Sequence, residues 1–199
     1  MRKKQAILNA GILLFARKGF QNTAMTELAR LSEVADGTVF YHYKTKDDLF
    51  VAILDHIRED IEKAFQERMA VAAHASGLDA VLDAVTFYLD LASRMEDEFN
   101  LLHRHYTYDF AKVNPAFRSH LETIYECFIR MFERSIRKGL DDGSIRKLDE
   151  RKTALLIYSM TDGLVRLRLY SLYDSGALYG ALMEACRRML ENRRNERAE

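Results

Sequence analysis

Side chains that can contact a nucleic acid are concentrated between residues 23 and 49. Small hydroxyls, aromatic donors and cations follow one another there, at Thr38, Tyr41, His42, Lys44 and Lys46. Side chains of these types hydrogen-bond phosphate oxygens and the edges of bases in DNA. The alternative is a surface helical hairpin whose aromatic residues belong to a core, and the aromatic residues alone would favour that alternative.

Two short helical patterns position these side chains. The first covers Ala24–Leu31, with Met25, Leu28 and Ala29 on one side and Thr23 as the predicted N-cap. The second covers Asp36–Tyr43, and the four residues between the patterns are enough only for a tight turn. Two short helices joined in this way predict a helix-turn-helix, whose second helix fits a DNA major groove.

Residues 7–53 resemble the N-terminal DNA-binding domain of the tetracycline-repressor (TetR) family of bacterial transcriptional regulators. The matching features are a first helix over 7–15, its ending Lys18-Gly19-Phe20, Thr23, Leu28-Ala29, Val34, the run GTVFYHY over 37–43 and the run KTKDDLF over 44–50. This extended pattern is far more specific than a lone helix-turn-helix signal, although it covers only about a quarter of the chain.

The resemblance implies contacts for particular residues. Those expected near base edges are Thr26, Asp36, Gly37 and Phe40. Those expected near phosphates are Ala24, Thr38, Tyr41, His42 and Lys46. Thr23 and Lys44 complete the predicted DNA-binding set.

Three residues depart from the family's pattern. Ala35 stands where the family often has a Ser or Thr N-cap, which costs about 1 kcal/mol of local helix stability unless another group caps the helix. Asp36 stands where Lys is frequent; it suits the helix dipole and repels phosphate. Phe40 lacks the hydroxyl of the commoner Tyr, so contact with a thymine methyl group is expected there. These departures bear on the operator sequence rather than on DNA binding itself.

Composition limits the class of protein. The chain has 199 residues, of which 48% are hydrophobic and 30% charged, with one Pro and nine Gly, so long helices around a real core are expected. The net charge is zero, but residues 1–46 carry eight Lys or Arg against three acids. This charge asymmetry is expected to orient the basic end of the molecule toward phosphates. We expect no membrane span and no signal peptide. The two cysteines, Cys127 and Cys186, are interpreted as free thiols in a reducing cytoplasm, with a disulfide as the alternative.

The remaining pattern predicts an all-α protein of about nine helices. A helix that opens at Thr45 carries an apolar stripe from Leu49 to Phe65 and continues into the helical body. A shift at the far end of this helix would therefore also shift the recognition helix. Later helices are predicted with caps at Ser76, Asn114 and Asp149, and one of them covers 99–110. We expect a helix-turn-helix domain over residues 1–48, in which three helices form the DNA-binding unit. A helical effector-binding and dimerisation domain is expected over residues 49–199.

The last two helices are predicted to form the dimer. The helix from Glu150 is apolar nearly all round and needs cover on more than one side. The TetR family dimerises through its last two long helices, and a two-fold dimer places two recognition helices in successive major grooves of a palindromic operator. The predicted interface residues are Leu164, Val165, Arg168, Leu182 and Met189.

In the family the helical body holds a small-molecule effector. The residues nominated for such a pocket are Phe87, Tyr88, His103, Tyr106, Phe110, Tyr125, Phe128, Met131, Tyr158 and Asp162. Each of them could equally be ordinary core, because helical cores and apolar pockets have similar compositions. The neighbours His103, Arg104 and His105 are the best polar candidates and favour an anionic or aromatic effector.

An enzyme is not expected. No His has a Glu three residues before it, as a di-iron bundle requires, and the chain lacks a Walker loop, a GxGxxG motif and a CxxC pair. No metal or cofactor is predicted. The sequence therefore predicts a sequence-specific DNA-binding transcriptional regulator, a repressor released from its operator by a small molecule. The alternative is a DNA-binding regulator without such an effector, constitutive or controlled by a protein partner.

Overall fold

The computed structural model describes residues 2–192. Ten α-helices and one 3-10 helix (Gly176–Leu178) lie within this range, and no β-strand forms there. The α-helices are α1 Arg2–Arg17, α2 Met25–Leu31, α3 Asp36–His42, α4 Lys46–Val71, α5 Gly77–Arg94, α6 Glu96–His103, α7 His105–Val113, α8 Pro115–Asp141, α9 Glu150–Leu169 and α10 Tyr179–Leu190. The predicted all-α fold, with an N-terminal helix-turn-helix followed by a helical body, is confirmed.

The described residues form two compact units. The first unit comprises residues up to Glu62 together with Met95–Ile124, and the second comprises Lys63–Arg94 together with the described residues from Tyr125 onward. The first unit therefore contains α1, α2, α3, α6, α7 and the N-terminal parts of α4 and α8. The second contains the C-terminal parts of α4 and α8 together with α5, α9 and α10.

An aromatic cluster fills much of the first unit. Phe20 stacks on Tyr106 with ring centroids 4.4 Å apart, and Phe50 packs on Phe117 at 4.7 Å. Phe50 and Phe117 are almost completely buried. The left-handed backbone of Gly19 (φ +90°) ends α1 and turns the chain so that Phe20 reaches this cluster.

The segment 99–110, predicted as one helix, is two helices that meet at Arg104. Arg104 has an extended backbone (φ −64°, ψ 138°), which interrupts the helix. Its guanidinium donates to the carbonyl oxygen of Ala16 at 2.8 Å and to that of Arg17 at 3.1 Å. Carbonyls in the last turn of a helix lack partners within the helix, so these bonds satisfy the end of α1. The prediction of a single helix is wrong because this contact comes from a distant part of the chain.

Local capping signals are confirmed. The hydroxyl of Ser76 accepts from the backbone N–H of Asp79 at 3.1 Å, the side chain of Asn114 accepts at the start of α8, and that of Asp149 accepts at the start of α9. At the start of α4, Thr45 and Asp48 bond each other's backbone N–H reciprocally, each at 3.0 Å. Such caps are each worth about 1 kcal/mol to their helix.

In the second unit, side chains that follow α8 bind the first backbone N–H groups of α5. The N–H of Gly77 donates to the carboxylate of Asp142 at 2.6 Å, and the N–H of Leu78 donates to the hydroxyl of Ser144 at 3.1 Å. No disulfide joins Cys127 and Cys186, as predicted, and burial raises the pKa of the Cys186 thiol to about 11. Within residues 2–192 no helix is long and apolar enough to cross a membrane.

Candidate DNA-binding surface

The helix-turn-helix is held together from inside by apolar side chains. Leu28 of α2 and Val39 of α3 are completely buried. Between the helices, the hydroxyl of Ser32 donates to the carbonyl of Leu28 at 2.6 Å, and Glu33 takes a left-handed backbone with φ +55°. The turn is therefore sharp, and α2 and α3 pack on each other directly.

The opposite side of α3 faces solvent. Tyr41 is 75% exposed and Phe40 is 44% exposed, although apolar rings of this size are usually covered. Asp36, Gly37 and Lys44 are exposed as well. Positions 36, 37, 40 and 41 are spaced as one face of α3, so these side chains form a continuous surface, and Lys44 follows the end of the helix. Ala24 and Thr26 are also exposed, and Thr38 and His42 are half-buried.

Thr23 does not cap α2, so the predicted N-cap is wrong. The N-cap is Ala24, without a side-chain hydrogen bond. The Thr23 side chain is 2% exposed, and its hydroxyl donates to the carbonyl oxygen of Gly19 at 2.9 Å. The hydroxyl is thus used by the α1–α2 loop and is turned away from the helix it precedes. Ala35 likewise leaves α3 without a side-chain cap, as the sequence predicted.

Lys46 points into the protein. Its Nζ atom donates to the carbonyl oxygen of Phe20 at 2.7 Å and to that of Thr23 at 3.0 Å, and it lies 4.4 Å from the centroid of the Phe20 ring. Desolvation lowers the pKa of the Lys46 ammonium below its ordinary value. Sequence reasoning missed the part played by Phe20, because nothing local to either residue indicates a contact across 26 positions.

Seven of the ten nominated effector residues lie in the second unit. There the Tyr88 hydroxyl donates to the Asp162 carboxylate at 2.6 Å. The rings of Tyr88 and Phe128 pack edge-on with centroids 4.7 Å apart, and Tyr158 lies 5.8 Å from Tyr88 and 6.1 Å from Tyr125. Burial raises the pKa of Tyr88 well above its ordinary value, so the phenol stays protonated and remains a donor. We call these five residues, from α5, α8 and α9, the aromatic–carboxylate group. Met131 is buried in α8, and Phe87 packs on Phe65.

The other three nominated residues lie in the first unit. His103 is 3% exposed and its Nδ1 atom lies 2.7 Å from the carbonyl oxygen of Phe99. Tyr106 and Phe110 belong to the aromatic cluster around Phe20. The three polar neighbours at 103–105 do not converge on one site. Arg104 donates to a carbonyl of α1, and His105 is exposed and lies beside Asp109.

The predicted dimer residues differ in exposure. Val165 and Leu182 are buried within the protomer, whereas Leu164 and Met189 are half-buried. Arg168 is exposed and donates to the carbonyl oxygen of Ala92 at 2.9 Å. Leu164 and Arg168 line an open cavity of about 250 Å³ together with residues of the α9–α10 connection.

The fold and the exposed face of α3 define a helix-turn-helix DNA-binding protein. Residues 7–53 match the model of the bacterial regulatory proteins of the tetR family. The chain is 27% identical to the HTH-type transcriptional regulator YfiR of Bacillus subtilis, over 84% of this chain and 81% of that protein.

Solved structures have the same fold. A transcriptional regulator from Saccharomonospora viridis in complex with choline has a TM-score of 0.81 at 20% identity, over 95% of this chain and 97% of that one. FadR from Bacillus subtilis in complex with stearoyl-CoA has a TM-score of 0.76 at 18% identity, over 93% and 98% of the two chains.

The family match over residues 7–53, the relative from Bacillus subtilis and the shared fold support a DNA-binding transcriptional regulator of the TetR family, as the sequence predicted. The relatives named above are all regulators, in agreement with the exclusion of an enzyme. Within residues 2–192, no group of three or more His, Cys, Asp or Glu side chains is arranged to hold a metal ion.

Proposed function

We propose that this protein is a homodimeric repressor that reads a palindromic operator through α3 and is released by a small molecule. The observation that supports operator reading best is the exposed face of α3, where Phe40 and Tyr41 project into solvent beside Asp36 and Gly37. In this proposal residues 1–48 are the DNA-binding domain and residues 49–199 bind the effector and the second protomer. The protein acts in the cytoplasm, where its DNA is.

Dimerisation through α9 and α10 is supported by apolar side chains that the protomer leaves exposed. Leu156 of α9 is 57% exposed, and Leu155 is exposed beside it. Leu172 and Tyr173, which follow α9, are 64% and 72% exposed. Exposed apolar side chains near both ends of α9 are in keeping with an interface to a second copy of the chain. A two-fold dimer would separate the two α3 helices by about 34–36 Å, one turn of DNA.

The proposed effector site is the aromatic–carboxylate group of the second unit. Ring faces carry negative electrostatic potential, and Asp162 adds a carboxylate to them. This chemistry suits an organic cation with apolar substituents better than the anionic or aromatic effector that residues 103–105 had indicated. The fold neighbour in complex with choline supports an organic cation as the effector. The neighbour in complex with stearoyl-CoA supports the rival class, an acyl thioester.

Effector binding would act through α4. This helix is continuous from Lys46, beside the helix-turn-helix, to Val71. A ligand weakens operator binding if it binds more tightly when α4 is in the position that does not fit DNA. The loss of DNA affinity cannot exceed this difference in ligand affinity between the two positions of α4. The extent of release is therefore set by the ratio of ligand affinities for the two conformations.

The DNA-binding part is tested by retention of fluorescent genomic fragments on the protein at fixed salt. Tyr41→Ala and Lys44→Ala should each lose the fragments that the unaltered protein retains, while Lys147→Ala, which lies outside the helix-turn-helix, should keep them. Unchanged retention by both of the first two variants would mean that the face of α3 does not bind DNA.

The effector part is tested by thermal unfolding with a panel of quaternary ammonium compounds and acyl-CoA thioesters. A ligand at one hundred times its Kd should stabilise the protein by about 2.7 kcal/mol. Stabilisation by the cations that is lost in Asp162→Asn supports the proposed class. Stabilisation by acyl-CoA alone overturns it, and the absence of any stabilising ligand favours the regulator without an effector.

A further inference from the structure

Lys46 and Lys44 lie two residues apart in the run that the family resemblance assigns to DNA, yet the structure treats them differently. Lys44 is exposed after α3. The ammonium of Lys46, in contrast, lies among backbone carbonyls of the α1–α2 loop and over the ring of Phe20.

The hydrogen bonds of Lys46 account for its donors. An ammonium has three N–H groups. They donate to the carbonyls of Phe20, Thr23 and Gln21, at 2.7, 3.0 and 3.4 Å. A phosphate contact by the same Nζ atom would require at least one of these bonds to be given up.

The acceptors belong to the segment that leads into α2. In that segment, Asn22 donates from its side chain to the carbonyl of Lys18 at 3.3 Å, and Thr23 donates to that of Gly19. Lys46 binds the carbonyls that follow. Besides the bond from the Thr23 N–H to the Phe20 carbonyl at 3.3 Å, the later part of the loop is held by the first residue of α4. Ala24, the N-cap of α2, comes directly after it.

We infer that Lys46 is a positioning residue, which ties the α1–α2 loop to the start of α4 and sets the placement of α2 and α3, and that Lys46 makes no phosphate contact. Lys46 is half-buried, and this partial burial lowers the pKa of its ammonium, in keeping with the geometry. The inference rests on the proposed DNA-binding function and refines the set of residues that carry it.

The salt dependence of DNA binding separates a positioning role from a phosphate contact. Each phosphate contact contributes about 0.9 to the slope of log K against log salt concentration. Lys46→Met keeps most of the side-chain length and removes the ammonium. We expect it to raise the Kd about tenfold or more, as loss of a charged hydrogen-bonding partner does, with no change in slope. Lys44→Met, the matched control, should lower the slope by about 0.9.

A local measurement distinguishes positioning from a general loss of stability. Amide hydrogen exchange in Lys46→Met should become faster over residues 20–26 and stay unchanged in α9, at a temperature well below the unfolding transition. A slope that falls in Lys46→Met as it does in Lys44→Met would overturn the inference, and so would unchanged exchange over residues 20–26. If the unaltered protein binds no DNA, the proposed function fails by itself, and the exchange experiment still tests whether Lys46 holds the loop.

Discussion

Gly37 offers a direct test of the α3 surface, because stability and DNA affinity should change in opposite directions there. Gly37 is the second residue of α3, and a methyl group added to it meets no atom of the chain within 4 Å. Alanine in a helix is more favourable than glycine by up to about 1 kcal/mol. Gly37→Ala should therefore raise the unfolding temperature, by about 2–4 °C at most for a chain of this size.

The same methyl group should weaken DNA binding. Gly37 lies one turn before Phe40 and Tyr41 on the exposed face of α3, so the methyl group occupies space that the DNA is expected to fill. A misfit at one base pair costs about 1–3 kcal/mol, which corresponds to a Kd raised roughly 5- to 150-fold. The measurement is fluorescence anisotropy on a selected operator, paired with thermal unfolding.

Gly180→Ala is the matched control. Gly180 is also the second residue of a helix, α10, with no atom within 4 Å of an added methyl group. It should give a similar gain in stability with unchanged DNA affinity. If Gly37→Ala binds the operator as well as the unaltered protein does, the face of α3 does not approach DNA closely, and the reasoning is refuted.

Three further changes probe the body of the protein. Gly77→Ala should destabilise it by about 3 kcal/mol or more, because the new methyl group would overlap the backbone of Gly139; a normal urea midpoint would contradict this. Burial alone raises the pKa of Asp83, but hydrogen bonds from Arg68 and His74 outweigh burial and lower it. The stability that Asp83 contributes should therefore be present above its unfolded pKa of about 3.9 and be lost as pH falls through the lowered folded value; urea unfolding of Asp83→Asn at neutral and acid pH checks this, and an equal deficit at both would refute it. Leu164→Glu should give monomers by light scattering and abolish operator binding, whereas a dimer would exclude Leu164 from the interface.

Features set by neighbouring residues were predictable from the sequence. Ser76, Asn114 and Asp149 cap their helices because the partner N–H lies within three residues of each side chain. The buried side of α2 followed in the same way from the spacing of Leu28 and Ala29.

Features set by contacts between distant parts of the chain could not be predicted from the sequence. The break between α6 and α7 depends on the bonds from Arg104 to Ala16 and Arg17, which lie more than 80 positions away. Thr23 was a reasonable N-cap by type, but α2 begins one residue later, after Ala24, and the Thr23 hydroxyl donates to the carbonyl of Gly19. The inward turn of Lys46 likewise becomes visible only when α4 is placed beside the α1–α2 loop. Polar side chains with several possible partners are therefore the ones that the sequence left open.

The most direct test of the central proposal is the selection of bound DNA from a random pool at a fixed, moderate salt concentration, with the mass of the complex measured in parallel. A dimeric regulator that reads DNA through α3 should enrich a palindrome with half-site centres about 10 base pairs apart, bound by a dimer. Failure to enrich any sequence, or enrichment of an asymmetric site bound by a monomer, would contradict this proposal.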